Sequence, residues 1–248
     1  PPRSTLFPYT TLFRSLTEAE VQRVAACFVD PDYAELPASD AAFEAAKAEN
    51  TPFAAWVRRN VRAHKRPGYA AVVASLKKTG VAPGDITDAQ LDTVAELAER
   101  YSFGEVRVTH EQNLVFADVR QSALFALWQA LRDAELATPN IGLLTDLICC
   151  PGGDFCNLAN ARSIPIAEAV QRRFDDLDYL HDIGDIELNF SGCMNACGHH
   201  HVGHIGILGV DKNGEEWYQI TVGGRQGNDA AIGKVIGRSF AAAEVPDV

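Results

Sequence analysis

The sequence has no apolar run near the ~20 residues that a membrane-spanning helix requires, and charge interrupts most of its hydrophobic stretches within a few positions. No transmembrane segment is expected. It also lacks a basic excess: 22 lysines and arginines face 33 aspartates and glutamates, a formal charge of −11, which would repel a phosphate backbone. Nucleic acid is therefore an unsuitable partner. Six cysteines in 248 residues are too few and too unevenly spaced for a disulfide scaffold. What is present is 47% hydrophobic content, enough for a sizeable core in one large domain or two ordinary ones.

The opening fifteen residues, PPRSTLFPYTTLFRS, carry no acidic residue, repeat TLF and follow neither helical nor strand periodicity. They resemble the translation of a sequencing adapter and are read as a non-native leader, with native sequence starting near Leu16. Without Arg3 and Arg14 the formal charge moves from −11 to −13. Thr17 with Glu20 predicts a capping box for the helix TEAEVQRVAACF. Cys27, beside Val24, Ala25 and Phe28 on its apolar face, is read as a buried structural thiol.

Residues 43–64 predict two helical pieces joined at Asn50 to Pro52, with Trp56 packing one of them. Tyr69 to Leu76 predicts a strand, followed by a turn at Pro83-Gly84-Asp85. Thr87 with Gln90 caps a helix whose stripe is Leu91, Val94, Leu97, Ala98 and Tyr101. Val106 to Val108 and Leu114 to Val119 predict two short strands or one bent strand, and Leu124, Leu127, Trp128 and Leu131 line the next helix. This alternation is the rhythm of a ferredoxin-like half-domain, a fold that specifies no function alone. Farther on, a helix is predicted from Pro165 to Leu177 and a strand from Asp185 to Ser191. A hairpin turns at Asn213-Gly214 between Ile205–Val210 and Glu216–Val222.

Five of the six cysteines fall between 149 and 197. Cys150 and Cys156 flank PGGDF, whose Pro and two Gly let backbone wrap a compact object; Cys193 and Cys197 flank MNA. Four thiolates on two loops suit structural zinc or a four-iron cluster. The spacings are neither the usual zinc knuckles nor the sequential ferredoxin run, which favours a cluster. The rival is a zinc-stabilised binding module built from Cys193, Cys197 and the group His199, His200, His201 and His204. One of those histidines could alternatively carry protons.

Cys-x5-Cys followed by Cys-x3-Cys, embedded as CPGGDFC and SGCMNACG, resembles the signature of sirohaem-dependent nitrite and sulfite reductases. The similarity extends to KRPGYAAVVASLKKTGVAPGD, RVTHEQNLVF and HIGILGVDKNGEEWYQITVGG, and looks closest to the bacterial haemoproteins of the beta-component type. The resemblance implies an α+β fold. A helical segment (16–64) would end a preceding domain, with a ferredoxin-like half-domain at 65–136 and an α/β domain for the 4Fe-4S cluster and sirohaem at 137–248.

It further implies that Cys150, Cys156, Cys193 and Cys197 hold the cluster and that Cys197 bridges it to the sirohaem iron as the catalytic thiolate. Asn195, Arg107, Thr109, Gln112 and Asn113 match stretches near the macrocycle. Arg107 could equally be a solvated strand residue. Cys149 would give a six-residue spacing and is read as a non-ligand. The implied activity is six-electron reduction of sulfite to sulfide or nitrite to ammonia in assimilatory metabolism, leaning to sulfite. Ferredoxin or an NADPH-flavoprotein would be the donor. Free thiols favour a cytoplasmic location. An N-terminal half carrying the distal basic residues would precede this segment, so the chain alone is expected to be inactive.

Overall fold

The computed structural model describes residues 16–248, so the leader lies outside the described residues. The chain divides into two compact units, Pro1–Glu35 and Leu36–Val248. Within the first, helix α1 (Glu18–Ala25) is capped by Thr17, whose hydroxyl accepts the Glu20 amide. Only half of the expected capping box forms, because the Glu20 carboxylate pairs with the Arg23 guanidinium at 2.6 Å. Cys27 is exposed, contrary to the buried thiol expected; its sulfur caps the Arg23 carbonyl at 3.4 Å, while Phe28 and Val29 are also exposed.

The second unit holds two sheets, each with its own core. Helices α2 (Ala41–Glu49) and α3 (Thr51–Asn60) are separated by Asn50, whose side chain accepts the Phe53 amide and opens α3, with Pro52 in the first turn where its missing N–H costs nothing. Strands β1 (Val61–Ala63), β2 (Tyr69–Ala74), β3 (Val106–Val108) and β4 (Leu114–Arg120) form an antiparallel sheet in the order β1-β2-β4-β3. Helix α4 (Asp88–Tyr101) carries the full Thr87–Gln90 capping box, and α5 (Leu124–Asp133) buries Leu124, Leu127, Trp128 and Leu131. Phe53, Trp56, Val72 and Phe116 join these in one core and are completely buried. Side chains of this size contribute about 1.5–3 kcal/mol each on burial.

The second sheet runs β5 (Ile148–Cys149), β6 (Leu188–Ser191), β7 (Ile205–Lys212), β8 (Glu215–Val222) and β9 (Lys234–Ala241), in that order. β5, β6 and β7 are mutually parallel, whereas β7, β8 and β9 are antiparallel. The β5-to-β6 crossover contains the single turn α6 (Gly152–Phe155), α7 (Ile164–Arg173) and α8 (Leu177–Ile183). The helix expected from Pro165 to Leu177 is α7, which ends at Arg173, and the α8 that starts at Leu177 was not foreseen. Asp176 accepts the Asp178 and Tyr179 amides and restarts the chain as α8. The β7–β8 hairpin turns through Asn213 and Gly214, both at positive φ, as a two-residue Asn-Gly turn requires. β1, β5 and β9 were not foreseen.

Candidate metal centre

Parallel strands present ligands beyond their carboxyl ends. β5 and β6 pair through Ile148 with Asn189 and Cys149 with Phe190, so their ends lie side by side. Cys150 follows β5 and Cys193 follows β6 after a single glycine. The Cys150 amide donates to the Phe190 carbonyl at 3.1 Å, and the Gly192 amide donates to the Cys150 sulfur at 3.0 Å. The two cysteine loops are therefore joined at their roots.

Absent side chains make that approach possible. A Cβ on Gly192 would lie 2.7 Å from both the Ala161 carbonyl oxygen and Gly152 Cα, and one on Gly152, at φ +55°, would lie 2.5 Å from the Ser163 amide and hydroxyl. The Gly192 carbonyl accepts amides from Asn160 and Ala161 at 2.8 and 3.0 Å, which draws the far end of the first loop onto the second. Ser163 Oγ stands 3.7 Å from Cys150 Sγ. Cys156 closes α6, its amide bonded to the Gly152 carbonyl at 2.8 Å. On the second loop Ala196 and His199 take left-handed backbone, and the Gly198 amide bonds to Ser191 Oγ at 3.2 Å.

Cys150 and Cys193 are buried, Cys156 is half-buried, and Cys197 and Asn195 are exposed. Phe155, Leu158 and Met194, all more than 70% exposed, lie on the same two loops. None of these cysteines forms a disulfide. Among the described residues, no three His, Cys, Asp or Glu side chains are gathered around a point that could hold a single metal ion.

Two of the histidines contact β6 or the residue before it. His204 Nδ1 accepts the Glu187 amide at 3.1 Å, at the amino end of β6 and thus opposite Cys193, while the His199 carbonyl accepts from Asn189 at 3.2 Å in mid-strand. His200 is buried with Nδ1 unpartnered, and burial, assisted by neighbouring His201, pushes it down to about 4.

Cys149 and Cys150 occupy different environments. The Cys149 thiol is enclosed, its sulfur donates to the Cys150 carbonyl at 3.3 Å, and burial pushes it well above the usual thiol range. A thiol so held resists becoming the thiolate that metals bind.

The matched polar residues separate into two groups. Thr109, Gln112 and Asn113 line a 380 Å³ pocket together with Cys149, Pro151 and Phe155. Arg107 lies on the exposed face of β3, paired with Glu105 at 2.5 Å. Sequence reading missed Lys77 and Asp146, a buried pair beside the Thr109–Asn113 turn. Lys77, fully buried, donates to the Glu111 and Leu147 carbonyls at 2.5 and 2.8 Å and faces Asp146 at 3.7 Å. Burial pushes the Lys77 ammonium down and the Asp146 carboxyl up, each shift being opposed by the partner's charge.

Two cysteine loops joined at the carboxyl ends of parallel strands, beside a four-stranded antiparallel sheet, form the candidate centre. Two family models match in succession: the nitrite/sulfite reductase ferredoxin-like half domain over residues 70–134, and the nitrite and sulphite reductase 4Fe-4S domain over 144–248. The chain belongs to the nitrite/sulfite reductase family. It is 32% identical over 163 residues to the chloroplastic ferredoxin–nitrite reductase of Betula pendula, covering 61% of this chain and 27% of that protein. It is 31% identical over 170 residues to the ferredoxin sulfite reductase of Mycobacterium tuberculosis, covering 64% and 30%. The solved structure of the Mycobacterium tuberculosis NirA protein superposes with a TM-score of 0.61 at 27% identity, over 76% of this chain and 35% of that one. The chain spans between a quarter and a third of the length of the curated relatives it matches. No helix among the described residues is long and apolar enough to cross a membrane.

Proposed function

We propose that Cys150, Cys156, Cys193 and Cys197 hold a four-iron four-sulfur cluster coupled through Cys197 to a sirohaem, and that the pair reduces nitrite to ammonia or sulfite to sulfide with electrons from ferredoxin. The observation that carries the reading is the junction of the two cysteine loops at Gly192 and Cys150. When bound, the cluster and macrocycle supply single electrons to a small anion. The relatives' names support ferredoxin as donor. They do not favour sulfite over nitrite, since both kinds of relative stand at nearly equal identity.

The chain's own residues have distinct tasks in this scheme. The Gly192 amide donates to Cys150 sulfur, a hydrogen bond that stabilises a thiolate and tunes the potential of a cluster it binds. Cys150 and Cys193 are buried, which would limit water at their side of a bound cluster, whereas Cys197 is exposed and would remain accessible to a second group. Phe155, Leu158 and Met194 give the outer rim an apolar surface against which a planar macrocycle can rest. Asn195 and Thr109 offer polar groups to macrocycle carboxylates, and Arg107 would do so by exchanging Glu105 for one of them.

The test is anaerobic reconstitution with iron, sulfide and sirohaem, read by Mössbauer and electron paramagnetic resonance spectra of the parent chain and of Cys197→Ser. Magnetic coupling in the parent and its loss in the variant are expected. Coupling that survives the substitution excludes Cys197 as the bridge. Ferredoxin-driven consumption of nitrite against sulfite by an enzyme carrying these residues then assigns the substrate.

A further inference from the structure

We propose that Gln112 is a positioning residue for Cys150, its carboxamide acting as a one-residue edge strand against β5. This rests on reading Cys150 as a cluster ligand. β5 is the outermost strand of its sheet, and its inner edge is occupied by β6. In a parallel pair alternate residues turn their amide and carbonyl to opposite sides, and the Cys150 amide points inward to Phe190. Both peptide groups of Cys149 therefore face outward, where an edge strand leaves them unpaired. Gln112 meets both: its Oε1 accepts the Cys149 amide at 2.9 Å and its Nε2 donates to the Cys149 carbonyl at 2.8 Å.

The backbone is built to deliver that carboxamide. Gln112 has φ +60°, an uncommon conformation for a residue with a side chain, inside the β3–β4 turn closed by its amide on the Thr109 carbonyl at 3.1 Å. Neighbouring contacts fasten the same turn to the segment before Cys149. Asn113 Nδ2 donates to Asp146 at 2.8 Å, and Lys77 bridges the Glu111 and Leu147 carbonyls. The ferredoxin-like sheet thus grips residues 146–149 on the side opposite β6. The last of these grips lies one residue before the Cys150 sulfur. Both polar atoms of the Gln112 carboxamide are committed to this pairing.

The experiment compares Gln112→Leu, Gln112→Glu and, as a control in the first core, Leu127→Ala, each in the full chain. Hydrogen exchange at the Cys149 amide is read without metal, and loss of a reconstituted cluster to a chelator is read separately. Gln112→Leu, which removes both hydrogen bonds, is expected to accelerate both by about ten- to a hundredfold. Gln112→Glu, which keeps an acceptor but no donor, should fall between it and the parent. Leu127→Ala should lower the melting temperature at least as much while leaving both rates unchanged. If Gln112→Leu does not fold, Gln112→Glu carries the same comparison. Parent-like exchange in the Gln112 variants, or equal acceleration in Leu127→Ala, overturns the positioning role. Absence of iron uptake by the parent chain would instead overturn the ligand reading, while the exchange rates still decide the clamp.

Discussion

The Gly192 amide donates to the Cys150 sulfur at 3.0 Å, which joins the two cysteine loops at residues 42 positions apart in sequence. Gly192→Ala would push a methyl group against the Ala161 carbonyl and Gly152. Overpacking of this kind costs about 1–3 kcal/mol. The expected outcome is a lower urea midpoint together with reduced iron and sulfide content after reconstitution. A variant with parent-like stability and cluster content would show that the loop junction has no such tolerance limit.

Cysteine substitutions separate ligands from the neighbouring thiol. Cys150→Ser, Cys156→Ser and Cys193→Ser are expected to abolish stable cluster assembly, whereas Cys149→Ser leaves it nearly intact because the enclosed Cys149 thiol favours its protonated form. Iron and acid-labile sulfide per chain measure the difference. Equal loss in Cys149→Ser would reassign the ligand set.

Removal of the buried Lys77 cation should be costly. Lys77→Met leaves the buried Asp146 carboxyl without its ammonium partner and two carbonyls without a donor, a loss on the order of 3–5 kcal/mol. Adding Asp146→Asn removes the stranded charge and is expected to restore part of the loss. Denaturant unfolding of the single and double variants reads this, and a single-variant loss below about 1 kcal/mol would contradict a stabilising role.

His200 makes the metal-free chain acid-sensitive. Its folded value lies near 4 and its ordinary value is 6.5, so between these pH values the unfolded chain binds a proton that the folded chain refuses. The stabilisation is fully present above 6.5 and declines as pH falls towards 4. His200→Gln should flatten that part of the stability profile measured by thermal unfolding from pH 7.5 to 4.5. An unchanged slope would assign the acid sensitivity to other groups.

Elements specified by neighbouring residues were legible in the sequence. The Thr87–Gln90 box, the Asn50 and Pro52 punctuation and the Asn213-Gly214 turn each act within a few residues, and each is where it was expected. β5 was not legible, because two residues carry no periodicity and their extended form depends on pairing with β6 some forty residues later. The half-formed box at Thr17 has a local cause as well: Arg23 competes for the same Glu20 carboxylate. At the metal centre the cysteine spacing was readable, whereas sequence proximity does not reveal that His204 lies at the amino end of β6. Gln112 was picked out by resemblance, but its pairing with Cys149 links two sheets and has no signature in either segment alone.

The most direct test of the cysteine assignment is metal analysis of the full chain after anaerobic incubation with iron, sulfide and zinc in competition. Binding of about four irons and four sulfides per chain, with a visible charge-transfer band that Cys193→Ser abolishes, is the expected result. One tightly held zinc and no sulfide, unaffected by Cys150→Ser or Cys156→Ser, would contradict it.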